Sequence, residues 1–153
     1  MTPPARTLKR RTQETLHRLE RDVDVWVPTA DPEGVAPYLI PLSYQWDGTT
    51  VLPATPGASP TGRNLRATGA VRPAFGPTRD VVVVDGSAET LEPAGLPAGV
   101  GDAFAERTGA DPRALTTAYL YFRVTPRRVQ ARREADEIAG RDLMRDGEWL
   151  VDD

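Results

Sequence analysis

The stretch Pro41–Arg66, PLSYQWDGTTVLPATPGASPTGRNLR, decides how the chain folds. It reads as a strand ending at Trp46, a tight Asp47-Gly48 turn, and a return strand from Thr49 to Ala54. Asp-Gly between two apolar runs is a short-range hairpin signal. From Thr55 to Gly69 the character changes to a short helix. Ser59 or Thr61 is placed to cap it, Leu65 to give it an apolar contact and Gly69 to end it. Pro41 and Pro53 fit where a strand bends or its edge faces a ligand, because proline cannot donate to a ladder.

The flanks repeat this pattern of short strands. Val23–Val27 and Ala36–Trp46 alternate around the turn Asp31-Pro32-Glu33-Gly34. Ala70–Phe75, Asp80–Val84 and Ser87–Leu91 follow, with Asp85-Gly86 as a turn or bulge. The run Val81–Val84 is apolar on both faces and is expected in the centre of a sheet. Ala118–Thr125 is the strongest strand signal, and Arg127–Arg133 extends it past Pro126. Helices are expected over Thr7–Glu20, where Leu16 and Leu19 share a face, and over Asp102–Thr108. Asp146-Gly147 marks a turn in the tail Leu143–Val151. The fold class is therefore mainly β, an antiparallel barrel with attached helices. It is one domain over 1–153, with an N-terminal helix in 1–21 and a C-terminal tail in 134–153. A dinucleotide-binding α/β domain is disfavoured, since no GxGxxG follows a strand.

Composition narrows the chemistry. The 153 residues include no cysteine and one histidine, His17, so thiolate metal sites, disulfides and histidine triads have no residues to build them. No metal site is expected. A net charge of −3 gives no general affinity for nucleic acid. No apolar run suits a signal peptide or a membrane span, so the expected location is the cytoplasm.

Two segments carry possible binding chemistry. Thr55–Arg66 places three hydroxyls and two arginines around a helix start, where free N–H groups and the dipole favour an anion. It reads either as a phosphate cradle or as a plain capped surface helix. Pro41–Gly48 sets polar Ser43 and Gln45 among large apolar residues, which suits a planar heterocycle or, equally, a core strand ending in a hairpin. Arg127, Arg128, Arg132 and Arg133 form a basic cluster, readable as an anion contact across a subunit interface or as a solvated strand edge.

Taken in order, Pro41-Leu42-Ser43-Tyr44, Trp46-Asp47-Gly48, Ala54-Thr55-Pro56, Ser59, Thr61, Arg63-Asn64-Leu65 and Asp80–Gly86 resemble the pyridoxamine 5′-phosphate oxidase-like family of flavin-binding split β-barrels, particularly its small actinobacterial members. The tail Gly140-Arg141, Leu143–Gly147 and Trp149 adds to the resemblance. The resemblance implies a homodimer with flavin sites at its interface, and FMN, or the deazaflavin F420 in a sister branch. It implies that Ser59, Thr61, Arg63 and Asn64 hold the phosphate. The ring would lie against Pro41, Leu42, Ser43, Ala54 and Thr55, with Trp46 at its border. A departure is Arg132 before Arg133-Glu134, where relatives often carry Trp. The implied function is flavin-mediated hydride or electron transfer to a small substrate, with F420-dependent reduction or non-catalytic flavin storage as alternatives. Catalytic residues are not assigned, since the flavin itself carries such chemistry.

Overall fold

A computed structural model describes residues 3–150; the first two and last three residues of the expected domain and tail lie outside it. The chain opens with helix α1 (Leu8–Arg21), capped by Thr7, whose side chain accepts from the Arg10 N–H. Among the described residues nine strands follow: β1 (Asp24–Ala30), β2 (Pro37–Trp46), β3 (Val51–Pro56), β4 (Ala70–Val71), β5 (Ala74–Phe75), β6 (Val81–Leu91), β7 (Tyr119–Arg132), β8 (Asp142–Arg145) and β9 (Glu148–Trp149). Helix α2 (Pro60–Thr68) lies between β3 and β4, and α3 (Val100–Thr108) between β6 and β7.

Strands β6, β5, β1, β2, β3 and β7 pair in that order, and β7 pairs back onto β6, closing a six-stranded antiparallel barrel. Closure removes the exposed sheet edges that invite aggregation. The barrel interior holds Val25, Val27, Tyr44, Trp46, Val51, Val82, Val84, Phe122, Val124 and Val129, and Leu19 of α1 and Leu65 of α2 join the same core. A second, smaller cluster of Leu52, Ala54, Phe104 and Tyr121 lies on the outer face of β3 and β7 beneath α3. Phe104 meets Tyr121 edge-on at 5.3 Å.

Several expected elements are redrawn. The strand expected over Ala70–Phe75 is two short pieces, because Arg72-Pro73 interrupts pairing with β6. β6 is continuous, and the irregularity falls where its pairing steps from Asp85↔Arg128 to Gly86↔Pro126. Arg127 is thus the extra residue, next to a proline that cannot donate to the ladder. Gly86 is required there, since a Cβ would sit 2.6 Å from Val124 Cγ1. The valine run is not buried on both faces. Val82 and Val84 point inward while Val81 and Val83 are half-exposed, the period-2 pattern of a barrel wall with solvent outside.

The basic cluster is not on a sheet edge, because β7 lies between β6 and β8. Arg128 pairs with Asp142 at 3.0 Å, and Arg133 with Glu14 at 3.1 Å and Asp80 at 3.4 Å. The tail forms the hairpin β8–β9, and its Asp146-Gly147 turn places both residues at positive φ (53° and 80°). No helix among the described residues is long and apolar enough to cross a membrane.

Candidate functional site

The start of α2 is built by its own sequence. Ser59 Oγ accepts from the Gly62 N–H at 3.0 Å and donates to the Pro56 carbonyl at 2.7 Å, locking the helix start to the end of β3. Pro60 occupies the first turn, where its missing N–H costs nothing. Gly62 packs so tightly on the preceding loop that an added Cβ would lie 2.5 Å from the Pro56 oxygen and 3.0 Å from the Gly57 oxygen. Gly62→Ala is therefore expected to destabilise the fold by about 1–3 kcal/mol through overpacking against backbone. Chemical denaturation would read this as a lowered midpoint at unchanged slope; an unchanged midpoint would show that the loop yields freely.

Two guanidiniums curl back over that loop. Arg63 donates to the Ala58 carbonyl and Arg66 to the Gly57 carbonyl. Both thus stay near the positive end of the α2 dipole, an unfavourable place for a cation unless an anion joins it. Thr61 is fully buried and its Oγ1 has no hydrogen-bond partner. Asn64 is turned inward, its Nδ2 donating to Thr29 Oγ1 at 3.1 Å, which ties α2 to β1. Thr55 Oγ1 lies 3.3 Å from Ser59 Oγ. Thr55, Ser59, Thr61, Arg63 and Asn64 therefore gather around one helix start, with Ser59 and Asn64 already engaged in structural hydrogen bonds.

Beside this helix start is an open cavity of about 550 Å3. Pro56, Gly57, Ala58 and Arg66 form one wall, and Tyr119 and Leu120 at the start of β7 form another. The loop before β7 supplies Arg113 and Leu115. Asp111 holds that loop, accepting from the Arg113 N–H at 3.0 Å and from its Nε at 2.8 Å. The Arg113 side chain keeps the Asp111 carboxyl below the usual carboxylate range. Arg66 belongs to the motif already quoted, whereas the contribution of Arg113, Leu115, Tyr119 and Leu120 had no local signal, because it depends on β7 pairing with β3.

The residues expected to face a ring divide between two faces of the barrel wall. Strand alternation and register place Pro41, Ser43 and Ala54 on the outer face and Leu42 and Thr55 on the inner one. Ser43 Oγ donates to Asp24 Oδ1 at 2.8 Å on the neighbouring strand. Trp46 is buried in the barrel core. The outer face of β1 and β2 carries exposed Trp26 and Leu39, with Trp26 paired to Pro41 and Pro28 paired to Leu39.

No protein-family model and no curated protein sequence matches the chain. Solved structures do. The conserved hypothetical protein Rv2991 from Mycobacterium tuberculosis is 22% identical, with a TM-score of 0.65 over 81% of this chain and 85% of that one. An F420 reductase is 20% identical, with a TM-score of 0.59 over 74% and 93% of the two chains. A putative pyridoxamine 5′-phosphate oxidase from Listeria innocua is 13% identical, with a TM-score of 0.60 over 78% and 95%. A haem-storage protein from Vibrio cholerae also matches.

Proposed function

Because the chain has the split β-barrel fold of pyridoxamine 5′-phosphate oxidase-like proteins, we propose that it is a flavin-binding oxidoreductase that takes FMN at the start of α2. The observation that carries this reading is the pair Arg63 and Arg66, folded over Gly57–Ala58 beside a cavity of about 550 Å3. That volume lies within the range of small-molecule sites. The residues fit a phosphate through the Arg66 guanidinium, which lines the cavity together with Glu92, with Arg63 folded over the same loop and the helix dipole behind it; Thr61 is fully buried and does not line the cavity. Arg63 and Arg66 would neutralise and orient the phosphate.

The ring would run along the strand ends that carry Pro41, Leu42, Ser43, Ala54 and Thr55, with Tyr119 and Leu120 closing the apolar side. Bound FMN supplies hydride or electron transfer, so the chain needs to bind, orient and shield it rather than provide an acid–base pair. Trp46 is left to the core.

FMN is favoured over F420 by charge. F420 carries a polyglutamate tail that calls for an extended basic groove. Of the cluster Arg127, Arg128, Arg132 and Arg133 that could serve such a groove, Arg128 and Arg133 are already paired with Asp142, Glu14 and Asp80, which leaves only Arg127 and Arg132 without an ion pair among the described residues. Mass spectrometry of cofactor released from the purified protein, followed by separate titration of apo-protein with FMN and F420, tests the reading. FMN is expected to be recovered and to bind more tightly. Recovery and tighter binding of F420 would reassign the cofactor, and binding of neither would remove the function.

The protein is further proposed to act as a homodimer in the cytoplasm. The sequence suggests Tyr38–Trp46 and Tyr119–Phe122 as interface surface; of these, Tyr44, Trp46, Tyr121 and Phe122 are buried within the protomer, whereas Tyr38 and Leu39 are exposed. The surface left for a second copy is the outer ribbon of Trp26, Pro28, Leu39 and Pro41, on which Trp26 is 49% and Leu39 57% exposed. Contiguous apolar patches of this kind mark association sites. The double variant Trp26→Asp/Leu39→Asp is expected to sediment as a folded monomer where the wild type sediments as a dimer. A monomeric wild type at micromolar concentration would contradict the assignment.

A further inference from the structure

A second cavity, of about 250 Å3, lies on the outside of the barrel beneath the start of α3. Its lining is Gln45, Asp47, Leu52, Ala98, Gly99, Val100, Ala103 and Arg123, and it shares no residue with the cavity beside α2. Leu52, Ala98, Val100 and Ala103 make it mainly apolar. Each polar group at its wall is in a definite state of satisfaction, and that contrast defines what would bind.

Asp47 is already fully used. Its Oδ1 accepts from the backbone N–H groups of Thr49 and Thr50 and from the Thr49 hydroxyl, and its Oδ2 accepts from the Thr50 hydroxyl at 2.6 Å. Burial opposes its charge, but the hydrogen bonds from Thr50 and Thr49 outweigh it and hold the carboxyl below its ordinary range. Gln45 differs: its Oε1 is buried and accepts no hydrogen bond. A buried acceptor without a donor costs free energy that a ligand can recover. Arg123 differs again. It is half-buried and makes no ion pair or side-chain hydrogen bond among the described residues, although Glu89 stands opposite it on β6. Most other arginines on the barrel wall and α1 are paired, including Arg18 with Asp80 at 2.8 Å.

We infer that this cavity is a second small-molecule site, selective for a compact carboxylate with a flat apolar body and a hydrogen-bond donor. The carboxylate meets the Arg123 guanidinium, the body packs against Leu52, Val100 and Ala103, and the donor meets Gln45 Oε1, which turns toward the cavity from its buried, unpartnered position to accept it. The volume falls below that of drug-sized sites, which limits the ligand to roughly the bulk of one substituted ring. Asp47 does not compete for Arg123, because its oxygens are taken by Thr49 and Thr50, and its charge disfavours a second anion at that end. The site stands independently of the flavin reading, since its lining shares no residue with the cavity beside α2.

The test uses 4-hydroxybenzoate and benzoate as probes on the full chain, followed by amide shifts in two-dimensional NMR. Saturable shifts are expected at Ala98–Ala103 and at Arg123, without shifts at Gly57–Arg66. Arg123→Met, which breaks no internal pair, is expected to weaken 4-hydroxybenzoate about tenfold or more, by loss of a charge-assisted contact. Gln45→Leu is expected to weaken 4-hydroxybenzoate about fivefold while leaving benzoate within about twofold, because only the former offers the donor. Ala103→Leu, which fills the cavity, should abolish binding of both. Absence of saturable shifts at Ala98–Ala103, or unchanged affinity in Arg123→Met, would overturn the inference; so would shifts confined to the α2 cavity, which would place both probes in the flavin region instead.

Discussion

Glu137→Gln is expected to lower the stability of the protein by about 1–3 kcal/mol, because buried Arg6 loses its main partner and keeps only Glu14 at 2.7 Å as a close one. Glu137 sits in a short 3-10 turn after β7, and its side chain is 3% exposed against 5% for that of Arg6. Arg6 donates to it from its backbone N–H at 2.9 Å, from Nε at 3.0 Å and from Nη2 at 2.8 Å, and the Arg133 N–H adds a fourth bond at 2.8 Å. These contacts fasten the segment before α1 to the segment after β7. The Arg6 side chain, followed by the backbone N–H donors, overcomes desolvation and holds the Glu137 carboxyl down to about 2, against an ordinary value of 4.5. A depressed folded-state pKa contributes stability that is fully present above about 4.5 and lost as pH falls toward about 2. Urea unfolding at neutral pH measures the first effect, and the same series between pH 5 and pH 2 measures the second. The glutamine variant should lose most of its excess instability relative to wild type at the acid end. A variant within about 1 kcal/mol of wild type at neutral pH would show that the pair is structurally idle.

Arg63→Ala is expected to weaken FMN binding by about 1.5–3 kcal/mol, a tenfold to hundredfold rise in Kd, with little change in melting temperature. Arg63 is exposed on α2, and among the described residues the only hydrogen bond of its side chain is to the Ala58 carbonyl, which water replaces at small cost. Removing it also relieves a cation at the positive end of a helix, so the apo-protein should not suffer. Arg66→Ala should act in the same direction, since Arg66 lines the cavity itself. Fluorescence titration of apo-protein alongside thermal melts separates the two effects. A variant that binds FMN as wild type does but melts much earlier would make Arg63 a structural residue.

Much of this architecture is legible in the chain because its signals are local. The Asp47-Gly48 hairpin, the Ser59 cap, the αL Gly69 ending α2 and the Asp146-Gly147 turn each rest on a few adjacent residues, and each appears where the sequence places it. What was not legible depends on pairing between distant segments. Arg6 and Arg11 belong to a stretch rich in Arg and Lys, where nothing local marks out which cations are exposed, yet both are buried. Nη1 and Nη2 of Arg11 donate to the carbonyls of Arg6, Ala131, Glu137 and Gly140, most of them supplied from over a hundred residues away, while its Nε is buried without a partner. The bulge at Arg127 arises from Pro126 facing Gly86, which no window around either residue reveals. For the site, the residue types around Thr55–Arg66 were readable, but their division of labour was not. Ser59 and Asn64 are spent on holding α2 in place, and the wall from Arg113 to Leu120 exists only because β7 pairs with β3.

The central claim is that a flavin sits at the start of α2, between the end of β3 and the start of β7. Amide shift mapping of isotope-labelled apo-protein during FMN titration tests it most directly. Saturable shifts are expected at Thr55–Arg66 and Tyr119–Leu120, extending to Leu42 and Ser43, with the Ala98–Ala103 amides unmoved. Saturable shifts centred elsewhere on the barrel, or no shifts at concentrations that saturate other flavin-binding split barrels, would contradict it.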